Sequence, residues 1–526
     1  MSFIFSLLMC LSLFSSGQTL PVQWGEEFKM ERRISIIGMM SDSSSFYVIK
    51  QNTKRNANAI LVERFDPSDM LRKETRKIVF PVIDSLQSSL NDFLVVGGRK
   101  WLLLETYSQR DKMRRLYARE LLSEVGDGPI MLIDSLSYPG TKTAFSPEFT
   151  AVEMHDGKHL LIVRKLPHMN LFFYTFFNAA MKPVWKKPLD LPFESGKIKS
   201  TSFLADKKNN IHLVCSTGEE KKRDDEAERP ALHTYTLLSY YPDRNLVKEI
   251  EISLGEKYIS ALTFQLMDDG DLAIGGFYSN SREYAIAGTF FLRMNPETRK
   301  IVASDIKPFD KNILADYIPE RRIKKGEQEL SNFYFDHLVT LKDGTVFMIA
   351  EQYYLKVVYN SNDPLNNGYW GYGAYGYGSP YYGSTTNYQY NYNDILVVKV
   401  NPDGGIAWTK KIPKKQMSTN DDGYYSSYAI AHTANEVFIL FNDNPRNTPD
   451  FRNSGKEVYV MSKASRSNAM LVRFGQEGNF TYQSLFSGKS MDLILRPKMF
   501  YQVSSQRLVL YSQQGSRYKF GSLLLP

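Results

Sequence analysis

The sequence is poor in the residues that usually announce a chemistry. It holds two cysteines, Cys10 and Cys215, among 526 residues. The first lies in a segment that reads as a removable leader, so the mature chain has no partner for an intrachain disulfide and must be held by packed core. The 7 histidines show neither an H-E-x-x-H pair nor a two-histidine spacing with a third ligand, which leaves zinc catalysis unsupported. No G-x-S-x-G elbow is present. Gly371, Gly373 and Gly376 satisfy G-x-G-x-x-G, but the dinucleotide signature needs a preceding strand and a following helix, and "GYGAYG" leads into another turn-rich run. The net charge of +8 arises from 65 basic and 57 acidic residues interspersed along the chain, without the clustered basic and aromatic pattern of a nucleic-acid binder. Cys215 sits inside the apolar run "NIHLVCS" and reads as a core residue.

Long apolar runs are also missing. The longest, Phe3 to Phe14 in "MSFIFSLLMCLSLFSSGQTLP", is followed by the small residues Ser15, Ser16 and Gly17. It is too short for a spanning helix, which needs roughly 20 apolar residues. It has the form of a signal peptide over residues 1–17, although its start lacks the usual Lys or Arg. The expectation is an exported chain without a transmembrane segment. Leu8 and Met9 before Cys10 fit a lipoprotein signal poorly.

What is present is alternation. Short β-rich runs are separated by Asp-Gly or Asn-Pro-x-x turns, and they recur in groups of four. "FTAVEMHDGKHLLIVRK" precedes "LFFYTFFNAAMKPVWKKPLDL"; "ISALTFQLMDDGDLAIGGFYS" precedes "GTFFLRMNPETRKIVASDIKPF"; "FDHLVTLKDGTVFMIAEQYY" precedes "DILVVKVNPDGGIAWTKKIP". Asp156-Gly157, Asp269-Gly270 and Asp343-Gly344 occupy equivalent first turns, where a positive φ suits Gly. Less regular units start near Arg33, Ser89, Thr201, Ser426 and Met491. The period predicts an all-β fold, one β-propeller domain over residues 18–526 with about eight four-stranded blades, seven being the alternative because the second and fourth units match least well. The last unit supplies three strands. "PVQWGEEFKM" aligns with the outer strands "PVWKKPLD" and "GIAWTKKIP" through Trp24, Trp185 and Trp408, so the N-terminal strand is expected to close the ring and cover its open edge.

The strands carry apolar residues on both faces, as in Ile395 and Val397 against Leu396, Val398 and Val400. A blade of this kind needs a neighbour on each side. Insertions at 218–231, 312–332, 361–393, 414–427 and 442–465 all fall on connections that open on one face of a propeller, and four of them cluster around the fifth to seventh units. The segment 312–332 has the period of a short helix. The segment 361–393 includes most of "NNGYWGYGAYGYGSPYYGSTTNYQYNYND", whose Gly and uncharged Asn residues argue against regular structure. Loops on a rigid scaffold are where binding is commonly built.

The segments "YNDILVVKVNPDGGIAWTKKIPKKQMSTNDDGYYSSYAIA", "VFILFNDNP" and "ADYIPERRIKKG" resemble uncharacterised exported β-propeller-like proteins of the Bacteroidetes, most specifically over residues 312–445. The resemblance implies a Gram-negative exported location, in the periplasm or at the cell surface, and carries no catalytic residue with it.

Three readings of function follow. The first is a non-enzymatic binding or scaffold propeller engaging a glycan or an envelope protein through Tyr369, Trp370, Tyr372, Tyr375, Tyr377, Tyr381, Tyr382, Tyr424 and Tyr425, since such side chains offer flat apolar area with a polar rim. The second is a carbohydrate-active hydrolase using top-face carboxylates, for which Glu320, Asp421 and Asp443 are placed by position alone. The third is a structural part of an envelope complex docking through "RRIKK" at Arg321 to Lys325, a patch that a solvated helix face explains more cheaply. No cofactor is implied. Asp421, Asp422, Asp443 and Asp450, with nearby Asn residues, offer hard oxygen ligands for calcium, but without the spacing of a known loop, and turn formation explains the same residues. Oligomeric state has no signature in the sequence.

Overall fold

The computed structural model describes residues 20–53, 57–122, 127–137, 149–154, 156–165, 171–190, 198–217, 234–280, 285–325, 329–360, 385–475 and 478–526. The strands form eight antiparallel blades arranged in a ring. Blades 1 to 7 span Ile34–Val79, Ser89–Ser137, Phe149–Asp190, Ile198–Ile252, Tyr258–Pro308, Phe333–Ile412 and Tyr428–Ser487. Blade 8 takes its first three strands from Ile494–Leu524 and its outer edge from Val22–Trp24, with Phe28–Lys29 pairing farther along the same strand. The predicted closure is therefore present, and the two least regular units are full blades. Among the described residues no helix is long and apolar enough to cross a membrane.

The first strand of each blade is the innermost. First strands pack against one another at five of the seams, those of blades 1 and 2, 2 and 3, 5 and 6, 7 and 8, and 8 and 1. The second and third strands are covered on both sides, and Leu272–Ser279 and Val437–Asp443 are buried at every position. The fourth strands face outward and read as largely polar, as in Arg72–Val79. The apolar core is annular because each blade-to-blade seam is filled by side chains from both neighbours. Ile395 and Val397 pack with Ile439 and Val472 in the seam of blades 6 and 7. Val398 and Val400 pack with Ala273 and Phe291 in the seam of blades 5 and 6. Alternate residues of one strand thus serve opposite seams, as the two-faced pattern predicts. Cys215 is a member of the seam between blades 3 and 4.

Local chemistry fixes the corners. Gly270 and Gly344 have φ of 91° and 87°, and the preceding Asp269 and Asp343 accept the main-chain N–H two residues on, at 3.0 and 2.9 Å. At the closing edge, Trp24 packs edge-on against Phe486 at 5.1 Å and lies over Gly521, where an added Cβ would sit 2.8 Å from the indole.

The innermost strands of blades 1, 2, 4, 5, 6 and 8 each break register within the ladder. A bulge leaves a residue outside the ladder and re-aims its side chain. In blade 6 that residue is Asp336; in blade 8 the break spans Arg496 to Met499.

Candidate functional site

The insertions of blades 6 and 7 do more than loop out. The second and third strands of blade 6 are extended to Val346–Asn360 and Thr385–Val400, paired as a long ribbon beyond the blade body. Gln416–Thr419, from the connection to blade 7, adds a further strand along Gln389–Tyr392. Met461, from the insertion of blade 7, joins by a parallel bridge to Gln416. Three insertions are thereby knitted into one added sheet. This corrects the expectation that 361–393 lacks regular structure, because residues 385–393 of it are strand. Thr and Tyr alternate with polar residues there, and the ladder satisfies main-chain groups that an isolated loop would leave to water. Tyr369, Trp370, Tyr372, Tyr375, Tyr377, Tyr381 and Tyr382, like the insertion 218–231, lie outside the described residues.

One face of the ribbon is aromatic and apolar. Tyr353 is opposite Tyr392, Leu355 opposite Tyr390 and Val357 opposite Tyr388. Leu355, Val357 and Tyr388 are well exposed, whereas Tyr392 is buried at the base, 4.6 Å between centroids from Tyr353. The face turns toward the loop at 420–425 and toward blade 8. Tyr390 donates its hydroxyl to Asp422 Oδ1 at 2.6 Å, and Lys498 Nζ donates to Tyr392 Oη at 2.6 Å. Gly423, at φ 62°, lets the loop pass directly over the Tyr392 ring, where any Cβ would collide.

Beneath this face is a buried polar network. Lys414 is fully buried; its Nζ lies 2.7 Å from Glu351 Oε1 and donates to Gln416 Oε1 at 2.9 Å and the Tyr392 carbonyl at 3.0 Å. Glu351 Oε2 accepts from Ser427 Oγ at 2.6 Å. Gln416 Nε2 donates to the Asn442 carbonyl at 2.8 Å. The segment 414–427 is therefore pinned to both blades it joins. Burial pulls the Lys414 ammonium below its usual range, opposed by the Glu351 charge.

Asp336, the bulge residue, projects from the innermost strand and is open to solvent. Its Oδ2 accepts from Tyr428 Oη at 2.8 Å. Loss of bulk hydration, then repulsion from Glu351, pushes its carboxyl up to about 7. Lys498, solvent-open on the broken segment of blade 8, is pulled below its usual range by desolvation, with Glu351 opposing and Lys414 reinforcing the change. Arg496 lies 3.2 Å from the Tyr424 ring centroid.

The candidates read from sequence therefore separate. Tyr424 and Tyr425 are within this region: Tyr424 donates to Gln513 Oε1 at 2.8 Å and meets Tyr425 edge-on at 5.0 Å. Asp421 supports the loop by accepting Gly423 N–H at 3.0 Å. Asp443 is corrected as a candidate calcium ligand or catalytic carboxylate. It is buried, ion-paired with Arg452, which donates Nε at 2.9 Å, and bonded by Asn447 Nδ2 at 2.8 Å, so both oxygens are occupied. Glu320 is exposed on a short helix, Glu320–Ile323, and pairs with Lys324 at 2.7 Å. Among the described residues no group of three or more His, Cys, Asp or Glu could hold a metal ion. Asp336, Glu351, Lys414 and Lys498 escaped sequence reading. A visible signal existed for two of them: Asp336 in "FYFDHLVT" and Glu351 in "VFMIAEQYY" interrupt otherwise apolar strands.

No family model matches the sequence, and no curated protein matches it. Solved structures similar to it include a protein of unknown function from Bacteroides caccae, 12% identical over 70% of this chain and 94% of that one, with a TM-score of 0.27. The β-propeller domain of the trilobed protease from Pyrococcus furiosus is 9% identical over 87% and 96%, TM-score 0.37, and polysaccharide lyase Uly1 is 7% identical over 98% and 94%, TM-score 0.36. At these values the likenesses carry no argument about activity, and the propeller rests on its own strand pairing.

Proposed function

We propose that this chain is an exported binding propeller of a Gram-negative cell envelope, engaging a glycan or an envelope protein through the added sheet of blades 6 and 7. The observation that carries the reading is the knitting of three insertions into one sheet with a half-exposed aromatic face, seated on a buried ion network. A rigid, flat aromatic surface binds with little ordering cost, which is what distinguishes it from a tolerated loop. The test is affinity capture of the tagged chain from its native envelope, with glycans and proteins identified together. Replacing Leu355, Val357 and Tyr388 jointly by Ser, all exposed positions, should abolish capture without changing the unfolding midpoint. Unchanged capture by this variant and by one with Tyr369, Trp370, Tyr372, Tyr375, Tyr377, Tyr381 and Tyr382 replaced by Ser would refute the reading.

A second reading, hydrolysis of a bound glycan, is favoured by Asp336 alone: a carboxyl held near 7 beside Tyr428 could give and take a proton at neutral pH. It requires turnover on a polysaccharide panel that Asp336→Asn removes.

A further inference from the structure

Along the strand Gln416–Thr419 of the added sheet, the segment 416–426 and the segment 461–464 line a cleft of about 290 Å³. Its walls are fixed by main-chain bonds: Met417 N–H donates to the Met461 carbonyl at 3.0 Å, and Met461 N–H to the Lys415 carbonyl at 2.8 Å. The cleft is lined by Ser418, Ser426, Asp421, Tyr425, Met417 and Met461 among others. Ser426 is 1% exposed, and the hydroxyls of Ser426 and Ser418 are buried without a hydrogen-bond partner. A buried hydroxyl left unmet is destabilising, and both serines line the cleft, where a ligand hydroxyl would supply the missing partner.

We propose that this cleft is a subsite for one neutral saccharide ring. Size, polarity and charge all bear on the choice. The volume is at the small end of ligand pockets, about 300–1,000 Å³, which suits a single ring. Serine hydroxyls both donate and accept, and the Asp421 carboxylate, whose Oδ1 is already held by Gly423 N–H, accepts from ligand hydroxyls. Tyr425, Met417 and Met461 supply apolar contact for the C–H face of a ring. No cation lines the cleft, so an anionic sugar would find no counter-charge. Asp421 shares its field with Lys498, which weakens the pull on a cationic one. The inference rests on the glycan form of the function proposed above and places one sugar of that glycan.

Saturation-transfer NMR on the full chain with methyl glucoside, methyl galactoside, methyl mannoside and methyl N-acetylglucosaminide, against glucuronate and glucosamine, tests it. At least one neutral glycoside should give transfer at millimolar concentration. Asp421→Asn, which keeps the turn acceptor, should weaken that binding roughly tenfold, as for one hydrogen bond to a charged group. Ser462→Phe, at the exposed lip of the cleft, should abolish it. Equal or stronger transfer to glucuronate or glucosamine, transfer untouched by both variants, or no transfer to any neutral glycoside would overturn the proposal. If envelope capture still depends on Leu355, Val357 and Tyr388 in that event, the binding function stands and the cleft assignment alone falls.

Discussion

Replacing Lys414 by Met should be among the most damaging single changes in the molecule. The ammonium is fully buried and touches Glu351, Gln416 and the Tyr392 carbonyl. The substitution keeps the chain volume near constant but leaves Glu351, itself 4% exposed, as a buried charge whose remaining described hydrogen-bond partner is Ser427. Removing one member of such a pair costs about 3–5 kcal/mol. Replacing both, Lys414→Met with Glu351→Leu, removes the stranded charge and leaves mainly the Ser427 hydroxyl unsatisfied, a loss of about 1–3 kcal/mol. The double variant should therefore be more stable than the Lys414→Met single variant, although it carries more changes. Urea unfolding of the wild type, both singles and the double gives the coupling directly. A cost below about 1 kcal/mol for Lys414→Met, or a double cost equal to the sum of the singles, would refute the claim that this pair pins the 414–427 segment.

The remaining predictions concern the Asp336 carboxyl and the ring closure. Asp336 binds its proton up to about pH 7 in the folded chain and releases it near 3.9 when unfolded. The folded state holds the extra proton between these values, so the stability tied to this group is greatest in acid and is lost as pH rises to about 7. At full weight the difference is about 4 kcal/mol, and solvent screening of this exposed side chain reduces the expected effect to about 1–2 kcal/mol; Asp336→Asn should flatten that decline in urea midpoints measured from pH 4 to 8. An unchanged slope would remove Asp336 as its source. Gly521→Val places a branched side chain against Trp24 and should displace the closing strand, exposing the edge of the last blade. Size-exclusion chromatography should then show association, and a monomer with wild-type protease resistance would refute the closing role of Val22–Trp24.

Most of the architecture was legible because it is local and repeated. Asp-Gly corners, two-faced strands such as Asp394 to Val400 and the recurring outer-strand Trp24, Trp185 and Trp408 each report on contacts within one blade or its immediate neighbour. The site was legible only in part. Tyr424, Tyr425 and Asp421 were found because they sit in a visible insertion, whereas Asp443 was misread because its partner Arg452 shows itself only once the intervening turn is folded.

The sequence by itself determined that the chain builds blades and where the ring closes, since a period of alternating apolar residues can be buried only by stacking like units; the choice of eight blades over seven came from the strand pairing. Only the tertiary structure decided what the insertions become. Tyr428 meets Asp336 across 92 residues, Lys498 meets Tyr392 across 106, and Gln416 pairs with Met461 from another blade. The shape of the ring sets these meetings, because curvature around a common axis brings the innermost strands and the inserted segments of neighbouring blades together.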